Sequence, residues 1–255
     1  MKVWPIFKKE MRLYFTSPIA WVILTIFLLI SGYFFYNIFA FFTMASMQSA
    51  MNPAMARELN VTDSVMRPLF SNISVILLLL MPLVTMRLFA EERRAGTIEL
   101  LLTYPVRDGA VLIGKYLAAL ALYAVMLVLT LVYPAMVVYF ARLEWGVLLT
   151  GYLGLLLMGA TFLAVGIFAS SLTENQIVAA IVTFGVLLIF WVIGWSADYA
   201  GGPWSRVLSH VSLLEHFDSF AKGVLDTKDI IYYLNFTLLA LFLTLRSLEA
   251  RRWKG

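Results

Sequence analysis

Three groups of residues in this 255-residue sequence have types and spacings that could carry chemistry. The first is Gly109-Ala-Val-Leu-Ile-Gly114-Lys115-Tyr116, which follows the GxxxxGK spacing of a phosphate-binding loop up to its last position. That position needs the small hydroxyl of Ser or Thr to hold Mg²⁺, and Tyr116 occupies it. The intervening residues are mostly bulky and apolar, no strand precedes them, and a long apolar run follows. Lys115 is therefore read as the cytoplasmic entrance of a membrane span, and nucleotide binding by this chain is not expected. The second group is His210 and His216, near Glu215 and Asp218. A metal site needs several converging ligands with supporting partners, and histidines six residues apart share a helix face poorly. They are read as ordinary polar loop residues, with neither a metal site nor a Ser-His-Asp triad expected. The absence of cysteine removes thiol chemistry and cysteine-based zinc sites.

The third group is Phe89–Val106, FAEERRAGTIELLLTYPV. Glu91, Glu92, Arg93 and Arg94 form a charged head, and Ala95, Ile98 and Leu101 or Leu102 follow at helical spacing. The acids fall near the expected helix start, where the helix dipole favours them, and Tyr104-Pro105 ends the run. The pattern predicts a short amphipathic helix between two membrane spans. Its residues alone leave two readings open. One is a surface that receives a push from a soluble partner. The other is a connector whose charges are simply solvated.

The elements that position these groups follow from composition. The chain is 62% hydrophobic and 13% charged, whereas soluble domains average about half apolar and about a quarter charged. This excludes a soluble enzyme, a disordered chain and a disulfide scaffold, and predicts an all-α polytopic membrane protein. Six apolar segments qualify, at about Ile19–Phe42, Leu69–Met86, Tyr116–Phe140, Trp145–Phe168, Ile177–Trp195 and Ile230–Leu245, and none contains a charged residue. The first is too long for the apolar core of a cleaved signal peptide. An ion-coupled carrier or voltage sensor would bury ionisable groups in such segments, and an intramembrane enzyme would need a polar constellation there, so these classes are disfavoured.

Basic residues set the orientation. The N-terminus (Lys2, Lys8, Lys9, Arg12), the stretch between spans two and three (Arg87, Arg93, Arg94, Arg107, Lys115) and the C-terminus (Arg246, Arg251, Arg252, Lys254) hold 13 of the 19 basic residues. Both termini are therefore expected in the cytoplasm, and the net charge of +4 reflects basic cytoplasmic loops rather than nucleic-acid binding. Residues 1–17 read as an amphipathic helix on the membrane surface, with Val3, Trp4, Phe7, Met11, Tyr14 and Phe15 on the apolar face and Lys2, Lys9 and Arg12 opposite. Ile6 and Leu13 interrupt the polar face. Ser17-Pro18 predicts a bend. On the outer side, Met44, Met47, Met51 and Met55 make a helical stripe in residues 43–68. It is read as an interfacial helix, with a partner-binding surface as the alternative. The outer segment 196–229 contains the turn Gly201-Gly202-Pro203 and then a short helix with Leu213, Leu214, Phe217, Phe220, Ala221 and Val224 on one face. Gly151, Gly154, Gly159, Ala160, Ala164 and Gly166 would let span four pack closely. Pro82 and Pro134 would bend spans two and three, as static shape or as hinges.

The charged segment, the basic amphipathic N-terminus and the six spans resemble the ABC-2 type permeases, the membrane half of ATP-binding-cassette exporters. The resemblance covers nearly the whole chain as a single domain, 1–255. HFDSFAKGVLDTKDIIYYLNFTLLALFLTLRSLE at His216–Glu249, together with FAEERRAGTIELLLTYPV, is similar to the gliding-motility-type, GldF-like subfamily. The resemblance implies a cytoplasmic ABC ATPase that binds ATP and magnesium, no cofactor, metal or catalytic residue in this chain, and location in the bacterial inner membrane. It also implies a second permease subunit, either an identical copy or a related protein with a large periplasmic domain. The coupling region maps to 88–104, with Glu91, Glu92, Arg93, Gly96, Thr97 and Leu100 as the contact positions. Two functions follow: export of an unidentified substrate, or a scaffold that passes force to a periplasmic partner without carrying cargo. From the sequence, Glu92→Arg is predicted to weaken ATPase docking without loss of membrane insertion, checked by co-purification and ATPase stimulation.

Overall fold

The computed structural model describes residues 3–51, 60–97, 107–199 and 202–252, and among these there is no strand. Helix α1 (Val3–Thr16) is followed after Ser17 by α2 (Pro18–Met51). A π-helical turn at Thr62–Met66 opens α3 (Arg67–Thr85), and α4 (Arg87–Arg94) continues it after a break at Met86. Next come α5 (Asp108–Thr130), α6 (Val132–Phe140), α7 (Trp145–Leu172) and α8 (Gln176–Tyr199). The short α9 (Pro203–Val211) and α10 (Leu213–Ala221) precede α11 (Thr227–Arg252). Six helical runs are long and apolar enough to cross a membrane: Pro18–Ser49, Thr62–Arg94, Asp108–Phe140, Trp145–Leu172, Gln176–Ser196 and Thr227–Ala250. The expected all-α integral membrane fold is what the chain forms.

The helices outgrow the apolar runs. A helix satisfies its own backbone hydrogen bonds and has no reason to stop where hydropathy falls unless a breaker intervenes. The charge-free segments are thus the middles of longer helices whose ends carry Asp63, Glu91, Glu92, Lys115 and Asp229. Met44 and Met47 are exposed on the continuation of α2 rather than on a separate interfacial helix, and Met55 lies outside the described residues. Pro134 has the effect expected of it. It cannot donate to the carbonyl one turn back, and the helix of span three is interrupted at Leu131, whose N–H turns to Val128 (3.1 Å).

Span four, α7, is the hub. Its apolar window is 72% buried, against 28%, 28% and 22% for spans one, five and six. It touches α3, α4, α5, α8, α10 and α11. The small residues anticipated for this helix explain how. A Cβ at Gly151 would overlap the Phe70 ring, at Gly154 the Phe220 side chain, at Gly159 the Tyr123 ring and at Gly166 the Thr85 hydroxyl. Each glycine is a socket for one neighbouring side chain, so the stripe is a packing device.

Of the two short helices before the last span, α10 packs against this hub and α9 packs on α8. Ser212 caps α10 by accepting from the Glu215 N–H, and Leu213, Phe217, Phe220 and Ala221 are buried as the sequence periodicity predicts. Val224 is not on that face. It lies past the helix end and is 55% exposed. The reading of the histidines as loop residues is also corrected. His216 is buried within α10; its Nδ1 lies 2.6 Å from Asp229 Oδ1 and its Nε2 3.2 Å from the His210 carbonyl, and its ring stacks on Tyr232. The partner carboxylate sits beyond the turn into α11, a contact no helical spacing could announce. Among the described residues no cluster of metal-ligating side chains occurs.

Gly159→Ala should force Tyr123 from its socket and destabilise the protein by about 1–3 kcal/mol. Gly185→Ala, where nothing lies within 4 Å of the added methyl, should be neutral or mildly stabilising. Thermal unfolding of the two variants in one detergent checks the contrast.

Candidate functional site

The charged segment that the sequence singles out is the end of span two. In α4 the acids Glu91 and Glu92 stand in the last turns, not at a helix start, and Arg93 and Arg94 close the helix. This corrects the predicted helix. A turn at Ala95-Gly96 follows α4, Gly96 having a φ of 66°, a left-handed conformation that glycine adopts without strain, and Thr97 beyond it is helical again. Residues 98–106, including Leu100 and the Ile98, Leu101 and Leu102 of the expected run, lie outside the described residues.

The break at Met86 has a cause that Pro82 alone does not supply. Pro82 sits inside α3, and the Met86 N–H still reaches the Pro82 carbonyl at 2.9 Å. The interruption comes from span four. Ser170 Oγ accepts from the Phe89 and Ala90 N–H groups, at 3.1 Å each, and donates to the Met86 carbonyl at 2.9 Å. A foreign hydroxyl inserted in the backbone ladder is one of the recognised causes of a kink.

Arg93 is buried, and its Nη1 donates to the Ser171 carbonyl at 2.5 Å. That carbonyl is among the last four of α7, which have no partner within their own helix, and the positive charge suits a helix C-terminus. Glu92 also turns inward. Its Oε1 lies 2.9 Å from Lys115 Nζ and 3.3 Å from Lys9 Nζ. Lys115, with its side chain 2% exposed, also binds Glu10 at 2.9 Å and lies over the Phe89 ring. One buried ammonium thus joins α1, α4 and α5. The remaining Glu92 oxygen, Oε2, is buried without a hydrogen-bond partner among the described residues. Glu91, Arg94, Ala95, Gly96 and Thr97 are exposed around it. A cleft of about 500 Å³ opens between α1 and α4, lined among others by Lys9, Glu10, Arg87, Glu91 and Thr97.

The N-terminal helix is placed by this cluster. Its buried residues are Glu10 and Tyr14, with Ile6 seated over Gly114 of α5. Tyr14 donates to the Val84 carbonyl at 3.3 Å under the Arg87 guanidinium. Burial pushes the Tyr14 hydroxyl well above its usual pKa, so it is a neutral donor. The expected apolar face is therefore corrected in part. Ile6, set aside as a blemish on the polar face, points into the protein, while Trp4 is 70% exposed. The helix has three faces: Ile6, Glu10 and Tyr14 inward, an aromatic flank with Trp4 and Phe15, and basic residues beyond.

The structure brings Glu92, Arg93 and Lys115 into one buried assembly and leaves Glu91, Gly96 and Thr97 on the surface beside it. Pro134 lies outside this region. Sequence reasoning missed Glu10, Lys115 and Ser170 as parts of the site. Two signals were present: Glu10 is the only acid in the first 57 residues, and Lys115 interrupts an apolar stretch.

Six apolar spans, a glycine-socketed hub and a buried charged node at the end of span two define a multi-pass membrane protein with a specialised surface at one end. Its family follows from comparison. The ABC-2 family transporter protein family matches residues 4–249, and the chain belongs to that family. Comparison with curated proteins finds no match. Family membership makes the chain the membrane subunit of an ABC transporter and implies an ABC ATPase partner.

Removing the buried ammonium would leave two carboxylates facing each other. Lys115→Met should cost about 3–5 kcal/mol, whereas Lys9→Met, at the exposed rim, should cost under about 1 kcal/mol. Detergent thermal unfolding of both variants measures the difference.

Proposed function

We propose that this chain is the permease subunit of an ABC exporter in the bacterial inner membrane, with both termini cytoplasmic and the end of span two as the contact for its ATPase. The observation that carries this reading is the division of labour within one charged helix. Glu92 and Arg93 fasten α4 to α5, α1 and α7, while Glu91, Arg94, Gly96 and Thr97 are presented outward on that fixed base. A surface that transmits a push must be held rigidly behind and exposed in front. ATP with magnesium acts in the partner ATPase, and nucleotide binding there shifts the permease only by favouring one of its states. Of the contact positions implied by family resemblance, Glu91, Gly96 and Thr97 serve the docking surface directly. Glu92 and Arg93 serve it by holding it in place.

The breaks at Met86 and Leu131, each within four residues of Pro82 or Pro134, supply the bending points. Thirteen basic residues on the side of the termini support the orientation. The aromatic and basic flanks of α1 suit the headgroup layer. A second permease subunit completes the membrane unit, and the GldF-like stretch at His216–Glu249 favours a related subunit with a large periplasmic domain over an identical copy. Spans free of charge in their middles suit an amphiphilic cargo better than a small ion.

Glu91→Arg should abolish co-purification of the partner ATPase and remove its stimulation, while membrane insertion and thermal stability stay unchanged. Retained co-purification with full stimulation would refute α4 as the docking surface.

A further inference from the structure

We infer that Ser170 and the carbonyl of Ser171 form the joint through which α4 moves span four, so that a push on the end of span two is delivered sideways into α7 rather than back along α3. The inference rests on the docking role proposed for α4.

The geometry supports a joint of unusual completeness. A serine hydroxyl has one donor and two acceptor capacities, and Ser170 uses all three on the backbone of one foreign helix turn: the N–H groups of Phe89 and Ala90 and the carbonyl of Met86. In an uninterrupted helix the Phe89 N–H would bind the Thr85 carbonyl, four residues back. Here one helix ends at Thr85 and the next starts at Arg87, and Ser170 is the partner of the freed Phe89 N–H while it also bridges Ala90 and Met86. The α3–α4 junction has therefore exchanged continuity along its own axis for attachment to α7. One turn further on, Arg93 grips the Ser171 carbonyl. One turn before, Gly166 lets Thr85 pack against the α7 backbone. Ser170, Ser171 and Thr85 are fully buried, so water cannot replace a lost partner. The receiving helix is the hub that touches α3, α5, α8, α10 and α11. Displacing its end therefore displaces the bundle, including the outer helix α10 at its far end.

This makes Ser170 a positioning residue whose loss should spare docking and impair transmission. The first measurement uses the full chain alone in detergent and follows amide hydrogen exchange of the peptide spanning Met86–Arg94. Ser170→Ala should speed exchange at Phe89 by about tenfold or more, the expected consequence of orphaning a buried donor, with α10 unchanged. Ser170→Thr, which keeps the hydroxyl, should restore most of the protection. If Ser170→Ala does not fold, Arg93→Gln tests the second half of the joint by the same readout. Unchanged exchange in these variants would overturn the joint.

The second measurement uses the complex with the ATPase, in a chain that has no native cysteine. Spin labels at Arg87, on α4 but off the docking surface, and Glu174 report the joint, and labels at Arg107 and Glu174 report span four against span three. In the parent chain a non-hydrolysable ATP analogue should leave the first distance fixed and shift the second. Ser170→Ala should broaden the first and reduce the second shift by at least half, with co-purification retained. A nucleotide-dependent change of the Arg87–Glu174 distance in the parent chain would refute delivery into α7. Failure of the ATPase to bind the parent chain would refute the docking reading and the drive with it, while a protected Phe89 amide would still show the attachment itself to exist.

Discussion

A helix in lipid has no water to take over a broken backbone hydrogen bond, and that constraint governs every irregularity in this protein. The interruption of span two at Met86 is filled by Ser170, and the open C-terminal end of α7 by Arg93. On the opposite face, Tyr232 and Tyr233 donate to the Val211 and Leu213 carbonyls, which flank the corner between α9 and α10. In the middle, Tyr123 and Thr161 reach carbonyls of neighbouring helices. At Met86 and at the end of α7, another helix supplies the missing partner. The breaks therefore double as joints between helices.

The same logic applies to charge. Glu10, Glu92 and Lys115 are each too costly to bury alone, and they are buried together. Their mutual attraction holds α1 and α4 against α5 and fixes which face of the N-terminal helix meets the protein. What is left outside that assembly, the aromatic and basic flanks of α1 and the exposed end of α4, lies on the surface, where the proposed function places the headgroups and the ATPase. For the docking role proposed for α4, a surface must be firm underneath and accessible above, and the buried node is the firm part.

Much of this was legible in the sequence, for identifiable reasons. The spans were readable because apolar length is a one-dimensional property, and the family resemblance rested on the charged segment FAEERRAGTIELLLTYPV, which the chain displays contiguously. The glycines of span four were readable as close-approach positions because only a missing side chain permits such contact. The direction of α4 was misread because its acids were taken to begin a helix. In fact span two runs through them to the turn at Ala95-Gly96. His216 was misread because its carboxylate partner is brought round by a turn, and Ile6 because a protein surface and not only lipid covers the N-terminal helix.

The sequence by itself determined an all-α membrane protein of six spans, the asymmetry of its basic residues and the segment that marks its family. These depend on composition, on helical periodicity and on local runs, all of which are fixed by neighbours along the chain. Only the tertiary structure decided that Lys115 is a buried bridge rather than a charged entrance, that Arg93 closes another helix, and that Ser170 holds the end of span two. Arg93 and Ser170 find partners about 80 positions away, and Lys115 joins Glu92 to Glu10, which is 105 positions from it. A serine, an arginine or a lysine acquires such a role only when packing removes water from it and leaves one neighbour able to satisfy it.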